Sequence, residues 1–217
     1  MPAAPPDRTR TVFIVDDDPS FLKSVSRLLS AIGYTVETFA SAREFLDRLA
    51  PGMSGCVVAD YQMPGMNGLE MQEVLGKSTN PLPVIFLTGQ GDIPTTVNAM
   101  RRGAEDFLTK RARKEELLAA VERAFERDAL ERQQRERLRE LRRRFAGLSR
   151  RELEVLAYVV RGCLNKQIAA DLKINERTVK LHRTSITRKL RVQSVAELTR
   201  LVDEAGVFQT RKLIPIG

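Results

Sequence analysis

The chain has 217 residues, a formal net charge of +8 at pH 7 and 42% hydrophobic residues, which is enough for two small domains. No apolar run approaches the ~20 residues of a membrane span. Residues 1–10 are Pro-rich without the apolar core of a signal peptide and are expected to form a flexible tail. Cys56 and Cys163 lack the spacing of metal ligands and are expected to be reduced. These features argue against membrane-spanning and disulfide-stapled proteins and favour a cytoplasmic one.

Charge is divided unequally along the chain. Residues 1–124 hold 14 Lys/Arg against 16 Asp/Glu, whereas residues 125–217 hold 22 against 12. A nearly neutral half joined to a basic half suggests that only the second half meets a polyanion such as nucleic acid. Solvated basic faces are also common in proteins, so charge alone leaves both interpretations open.

The first half alternates short apolar runs with helical patterns. The predicted strands are 11–16, 34–39, 55–60, 82–88 and 105–110. The predicted helices begin after Asp18 or Ser20, with Gly33 closing the first, and then cover roughly 41–50, 68–76, 93–102 and 113–126. Such alternation predicts a doubly wound α/β domain over residues 11–126, built on a five-stranded parallel sheet.

Polar residues end several of the predicted strands. The first strand runs into three aspartates, Asp16 to Asp18, although like charges close together repel each other and burial adds to the cost. One interpretation is a solvated acidic turn before a helix that Asp18 or Ser20 caps, and the other is a bound cation. The third, fourth and fifth strands end in Asp60, Thr88 and Lys110. Because ligands collect at the carboxyl edge of such a sheet, clustered carboxylates there predict a hard divalent cation, Mg²⁺ above all.

The motifs VDDD, VVADYQMPGMNGLE, FLTGQGD and AMRRGAEDFLTK resemble the receiver domain of two-component response regulators, specifically the FixJ-like group. This resemblance implies that Asp60 accepts a phosphoryl group from a sensor histidine kinase. The residues expected to hold Mg²⁺ are Asp16, Asp17, Asp60 and Gln62, the last through its backbone carbonyl. The residues expected to contact the phosphoryl group, or to move in response to it, are Thr88, Phe107 and Lys110.

One position departs from the receiver pattern. The family usually has a proline in a cis peptide after the lysine, whereas Arg111 follows Lys110 here. Since a cis bond to a non-proline residue costs roughly 2.5–4 kcal/mol, a trans loop is expected. The change leaves open an alternative, a phosphorylation-independent DNA-binding regulator with a degenerate receiver.

An enzyme of the Mg²⁺-dependent phosphatase class is a rival for the same acidic cluster. Those hydrolases typically carry a second catalytic aspartate two residues after the nucleophile. That position is Gln62 here, so the chain is predicted not to be an enzyme.

Residues 113–145 lack Pro and Gly and could form one long helix, with 127–146 as a helical linker. An a/d spacing relates Leu138, Leu141, Phe145 and Leu148. Extended backward, the register meets only polar residues, so it lacks the three to four heptads of a coiled coil. A charged linker is favoured, with coiled-coil pairing as the alternative.

Cap signals divide the rest of the chain into four helices. Ser149 with Glu152 forms a capping box, and Gly162 stops that helix. The next helices are expected to be capped by Asn165, Asn175 and Ser194, and the fourth ends at Gly206. A short helix, a tight turn and a longer basic helix predict an all-α helix-turn-helix domain over residues 147–210, followed by a tail, 211–217.

The third of these helices has two different faces. Val179, His182, Ile186 and Leu190 share an apolar side, so the histidine is expected to be partly covered rather than catalytic. The opposite side carries Arg177, Lys180, Leu181, Thr184 and Arg188, which suit the major groove of DNA. A merely solvated basic face would look similar.

The segments LSRRELEVL, NKQIAADLKINERTVKLHR and KLRVQSVAEL resemble the LuxR-type DNA-binding domain. This resemblance implies that Lys180, Leu181 and Thr184 approach bases, while Thr178, Arg183 and Arg188 hold phosphates. The chain is therefore predicted to be a transcriptional regulator of double-stranded promoter DNA. Its expected partners are a histidine kinase, RNA polymerase and, on phosphorylation, a second copy bound through surfaces within residues 93–113.

Overall fold

The computed structural model describes residues 10–89 and 93–208. The predicted tails therefore lie outside the described residues, except for Arg10, as does the Gln-Gly-Asp end of the FLTGQGD motif. Contacts divide the chain into two compact units between Glu131 and Arg132. Within the described ranges, no helix is both long and apolar enough to cross a membrane.

The first unit alternates strands and helices as predicted. Its elements are β1 (Thr11–Val15), α1 (Pro19–Ile32), β2 (Thr35–Phe39), α2 (Ala42–Arg48), β3 (Gly55–Asp60), α3 (Gly68–Gly76), β4 (Val84–Thr88), α4 (Ile93–Arg101), β5 (Asp106–Thr109) and the first part of α5 (Lys114–Ala146). All neighbouring strands are parallel, in the order β2-β1-β3-β4-β5. The predicted five-stranded parallel sheet is confirmed.

Alternate residues of the central strands bury into two separate cores, one on each face of the sheet. In β1, Val12 and Ile14 pack in the core that includes residues of α1 and α5, while Phe13 and Val15 pack in the core that includes residues of α2 and α3. Burial on both faces explains why this strand is continuously apolar. The polar residues that follow it are thereby delivered to the carboxyl edge of the sheet.

Gly68 permits a close approach between α3 and the end of β3. A Cβ at this position would lie 2.6 Å from the Asp60 carbonyl oxygen and 2.7 Å from a ring carbon of Phe86. Both neighbours belong to adjacent buried strands and have little room to move. The glycine therefore lets α3 begin directly against the backbone of Asp60.

The helix α5 is continuous over 33 residues, which confirms that the segment after Arg113 is one long helix. Its Asp128 is only 3% exposed and accepts a hydrogen bond from the Gly55 backbone N–H at 3.1 Å. This contact ties the helix to the amino edge of the sheet beyond residue 126, where the receiver was predicted to end.

The second unit is helical. After the end of α5 it contains α6 (Arg150–Val160), α7 (Asn165–Leu172), α8 (Glu176–Leu190) and α9 (Val195–Ala205). The predicted caps at Ser149, Asn175 and Ser194 are confirmed, but Asn165 is not a cap. The cap is one residue earlier, at Leu164, and Asn165 is the first residue of the helix. The Leu164 backbone N–H donates a hydrogen bond to the Gln167 side chain at 2.8 Å.

Three of the four a/d-spaced residues, which lie at or just after the end of α5, have partners within the second unit. Leu141, Phe145 and Leu148 are buried in one core with residues of α6, α7, α8 and α9, including Val155 and Leu190. The apolar spacing that suggested a coiled coil is thus used for packing inside this unit.

Candidate phosphoacceptor site and nucleic-acid interface

Three carboxylates meet at the carboxyl edge of the sheet, as the strand ends predicted. Oxygens of Asp16, Asp17 and Asp60 all lie within 4.8 Å of one another. Asp16 and Asp60 are buried, whereas Asp17 is exposed. A group of carboxylate oxygens with one side open to solvent fits a hard cation that keeps some of its water, as Mg²⁺ does.

Lys110 joins this cluster from the end of β5. Its Nζ lies 2.7 Å from Asp16 Oδ2 and 2.8 Å from Asp60 Oδ2. Burial raises the pKa of the Asp16 carboxyl, and the lysine opposes that shift. Burial acts to lower the pKa of Lys110, but its hydrogen bonds to the two carboxylates outweigh this and raise it. The lysine is therefore a fixed positive charge beside Asp60.

The three consecutive aspartates have different surroundings. Asp18 caps α1, since its Oδ1 accepts from the Ser20 backbone N–H at 2.8 Å. Its own N–H donates to Asp16 Oδ1 at 2.9 Å. Asp16 and Asp17 are the two that belong to the carboxylate cluster. The run of like charges is thus divided between a helix cap and the carboxylate cluster.

The carboxylate of Asp60 is oriented by the loop that follows it. The Gln62 backbone N–H donates to Asp60 Oδ1 at 3.0 Å, and the Gln62 side chain is exposed. The other carboxylate oxygen, Oδ2, is the one that meets Lys110. The loop and the lysine therefore hold Asp60 from two directions.

Thr88 and Phe107 lie on the neighbouring strands β4 and β5. Thr88 is fully buried, and its carbonyl accepts a hydrogen bond from the Lys110 backbone N–H at 2.7 Å. Phe107 is partly buried, with its ring centroid 5.7 Å from that of Tyr61 and 6.1 Å from that of Phe86. The contact of Tyr61 with Phe107 was not predicted from the sequence. The available signal was that Tyr61 directly follows Asp60.

The loop after Lys110 is trans, as expected. Every peptide bond in the described ranges is trans. The Ala112 N–H donates to the Thr109 carbonyl at 2.9 Å, which closes a tight turn around Lys110. The lysine thus reaches both carboxylates without a proline after it.

In the second unit, α8 separates its faces as predicted. Val179, Ile186 and Leu190 are buried, and His182 is partly covered. The exposed residues of the predicted DNA-binding set are Arg177, Lys180, Leu181, Thr184 and Arg188. Leu181 is 64% exposed, so its side chain is open to contact from outside the unit.

Two residues expected to hold phosphates already have partners inside the second unit. Arg183 Nη1 donates to Asn165 Oδ1 at 3.0 Å, and Thr178 Oγ1 donates to Asn175 Oδ1 at 2.8 Å. Both side chains are partly buried. These contacts connect α8 to the start of α7 and to its own cap.

Comparison with known proteins agrees with the family resemblance of each half of the chain. The family described as response regulator receiver domain matches residues 12–122, and the family described as bacterial regulatory proteins, luxR family, matches residues 146–202. The chain is 43% identical to the response regulator protein TodT of Pseudomonas putida over 91% of this chain and 87% of TodT. It belongs to the two-component response regulators.

The similarity to other relatives also extends over most of the chain. The chain is 40% identical to the transcriptional regulatory protein FixJ of Azorhizobium caulinodans over 90% of this chain and 93% of FixJ. The solved structure of the response regulator StyR has a TM-score of 0.79 and 45% identity, covering 90% of this chain and 98% of StyR. Full-length FixJ from B. japonicum gives a TM-score of 0.56 with 34% identity, covering 93% of this chain and 99% of that one. This response regulator is therefore a DNA-binding transcriptional regulator with a receiver.

A buried carboxylate that sequence reasoning treated only as part of a cap stabilises the DNA-binding unit of this response regulator. Glu152 is 4% exposed, and it accepts hydrogen bonds from Ser185 Oγ at 2.6 Å and Lys189 Nζ at 2.7 Å. Burial opposes its ionisation, but these bonds and those with Ser149 outweigh burial and lower the pKa of Glu152 to about 2. The network fixes α8 against α6.

Replacing Glu152 with glutamine is expected to destabilise the second unit by about 2 kcal/mol at pH 7, because Lys189 loses its charged partner. A carboxyl whose pKa falls on folding stabilises above its unfolded value, 4.5, and loses that contribution as the pH falls towards 2. The difference between wild type and Glu152→Gln should therefore shrink over this range. Hydrogen exchange of the α8 amides in the full chain measures it.

Glu140→Gln is the matched control, because Glu140 pairs with Arg144 on an exposed surface. Its effect should stay below about 0.5 kcal/mol. Equal effects of the two substitutions, or a Glu152 effect that does not change with pH, would contradict this role of the buried carboxylate.

Proposed function

We propose that this response regulator is controlled by phosphorylation of Asp60, with Mg²⁺ held by Asp16, Asp17, Asp60 and the backbone carbonyl of Gln62. The observation that carries the proposal is the placement of Lys110 Nζ 2.8 Å from Asp60 within a cluster of three carboxylates. When bound, Mg²⁺ would offset the negative charge of the carboxylates and of the phosphoryl oxygens.

The residues of the receiver would divide the work of phosphoryl transfer. Asp60 attacks phosphorus in line and displaces the histidine of the sensor kinase. Lys110 pairs with the phosphoryl oxygens, and Thr88 turns its hydroxyl towards them, followed by the ring of Phe107. The glutamine at position 62, where hydrolases of similar fold carry a second catalytic aspartate, supports a regulatory rather than an enzymatic role.

The second unit would read promoter DNA with α8. Lys180, Leu181 and Thr184 are proposed to contact base edges, since they are exposed on one face of the helix. Arg177, Thr178, Arg183 and Arg188 are proposed to hold the phosphate backbone.

Phosphorylation would favour a receiver dimer through the surface within residues 93–113. This surface carries two exposed apolar side chains, Val97 and Met100, each 43% exposed. Dimers would present two α8 helices to paired half-sites on DNA. RNA polymerase and the sensor kinase are the further partners that we propose, and the cytoplasm is the proposed location because a promoter-binding regulator works where the DNA is.

Incubation with acetyl phosphate and Mg²⁺ is expected to add one phosphoryl group to the chain, located on Asp60 by peptide mapping. Removal of Mg²⁺ with EDTA should abolish the reaction, because the carboxylate cluster then opposes the approach of the anionic donor. A chain that takes up no phosphoryl group from acetyl phosphate or from any kinase, but still binds promoter DNA, would support the phosphorylation-independent alternative instead.

A further inference from the structure

We infer that Phe21 is a positioning residue for Lys110, holding the ammonium group against the phosphoacceptor through a cation–π contact. The inference rests on the proposed phosphorylation of Asp60. It assigns a role to an aromatic side chain that belongs neither to the acidic cluster nor to the switch pair of Thr88 and Phe107.

The contact is short and involves the reactive end of the lysine. Lys110 Nζ lies 4.5 Å from the centroid of the Phe21 ring, within the ≈ 6 Å range of cation–π attraction. The same Nζ contacts Asp16 and Asp60 at 2.7 and 2.8 Å, and the lysine side chain is only 20% exposed. The Lys110 ammonium group thus contacts an uncharged ring on one side and two carboxylates on the other.

The start of α1 fixes the position of the ring. Pro19 is the first residue of the helix, and Asp18 accepts hydrogen bonds from the backbone N–H groups of Ser20 and Phe21. The Asp18 backbone N–H in turn donates to Asp16 Oδ1 at 2.9 Å. The start of the helix that carries Phe21 is therefore hydrogen-bonded to Asp16, one of the two carboxylates that Lys110 contacts.

The need for such a restraint follows from the loop after Lys110. A lysine side chain has four flexible carbons and a freely rotating ammonium group. Arg111 occupies the next position, so no fixed pyrrolidine ring limits the backbone there. Once a phosphoryl group reaches Asp60, the lysine must leave its ion pair with that carboxylate and meet the phosphoryl oxygens, and the ring face gives it a constant support during that change.

A purely structural role for Phe21 makes different predictions. The residue is partly buried against the core shared by α1, α5 and the sheet, so its replacement also removes packing. Packing depends on the size of the ring, whereas cation–π attraction depends on the electron density of its face. Fluorination changes the second property with little change in the first.

The test measures the rate of phosphorylation by acetyl phosphate and Mg²⁺ in the full chain. Phe21→Leu should slow phosphorylation about 5-fold, and Phe21→Trp should restore the rate to near wild type. Incorporating phenylalanines with one, two or three ring fluorines at position 21 should slow the reaction progressively. In a Lys110→Ala background, Phe21→Leu should cause no further loss.

Phe125→Leu is the matched control. Phe125 also makes a cation–π contact, with Arg10 at 5.3 Å, but at the opposite edge of the sheet from Asp60. Its substitution should leave the phosphorylation rate unchanged. Equal rates across the fluorinated series, or equal slowing by Phe21→Leu with and without Lys110, would overturn the inference while wild-type phosphorylation still upheld the role of Asp60. Absence of phosphorylation in the wild type would instead overturn the proposed function on which it rests.

Discussion

Replacing Asp60 with asparagine is expected to abolish phosphorylation by acetyl phosphate and by the partner kinase. The amide keeps the shape of the carboxylate but offers no anionic oxygen to attack phosphorus. Within the cluster, the substitution also removes one of the two carboxylates that pair with Lys110. Phosphoryl incorporation, measured as a change in intact-protein mass, should fall below detection. The affinity for promoter DNA should remain at the level of the unphosphorylated wild type.

Asp18→Asn provides the control from the same acidic run. Asn and Asp are equally good at the N-cap, so α1 should keep its start and the domain its stability. Phosphorylation should therefore persist in Asp18→Asn. Incorporation of a phosphoryl group into Asp60→Asn, for example at the exposed Asp17, would mean that the acceptor has been assigned to the wrong carboxylate.

Lys180→Ala is expected to produce the largest loss in DNA recognition. A lysine that contacts a guanine edge contributes ≈ 1–3 kcal/mol of discrimination, so affinity for the preferred site should fall about 5- to 150-fold. Preference at one base position should relax at the same time. Fluorescence titration with DNA fragments selected from a random pool by the wild-type chain measures both effects.

Arg200→Ala separates base recognition from general charge. Arg200 is an exposed cation on α9, so its removal changes the net charge by the same amount. It should weaken binding only slightly and alike for all sequences. If Lys180→Ala also weakened all sequences alike, Lys180 would be a phosphate contact rather than a base contact.

Local patterns in the sequence were sufficient to predict the sheet and the positions of the polar residues at its carboxyl edge. The strands β1, β3, β4 and β5 each end at a polar residue or are followed directly by one, and parallel pairing brings those ends to one edge whatever the side-chain details. Asp16, Asp60, Thr88 and Lys110 therefore lie where the strand pattern predicted them. The trans loop after Lys110 followed in the same way, from the identity of the residue at position 111.

Contacts between residues distant in sequence were not predictable from those patterns. The support of Lys110 by Phe21 and the pairing of Glu152 with Lys189 each depend on how two elements pack, which a period of apolar residues does not specify. The start of α7 was misplaced for a local reason. Asn165 favours a cap by residue type, but Gln167 reaches back to the Leu164 N–H, and Asn165 accepts from Arg183 instead.

Sedimentation of the full chain with Mg²⁺, in the presence and absence of beryllofluoride, tests directly whether phosphorylation of Asp60 controls assembly. Beryllofluoride mimics the phosphoryl group on Asp60 without a kinase or a labile bond. We expect a shift from monomer to dimer in the wild type and no shift in Asp60→Asn. An unchanged mass in the wild type, whether it is that of a monomer or of a constitutive dimer, would contradict control of assembly through Asp60.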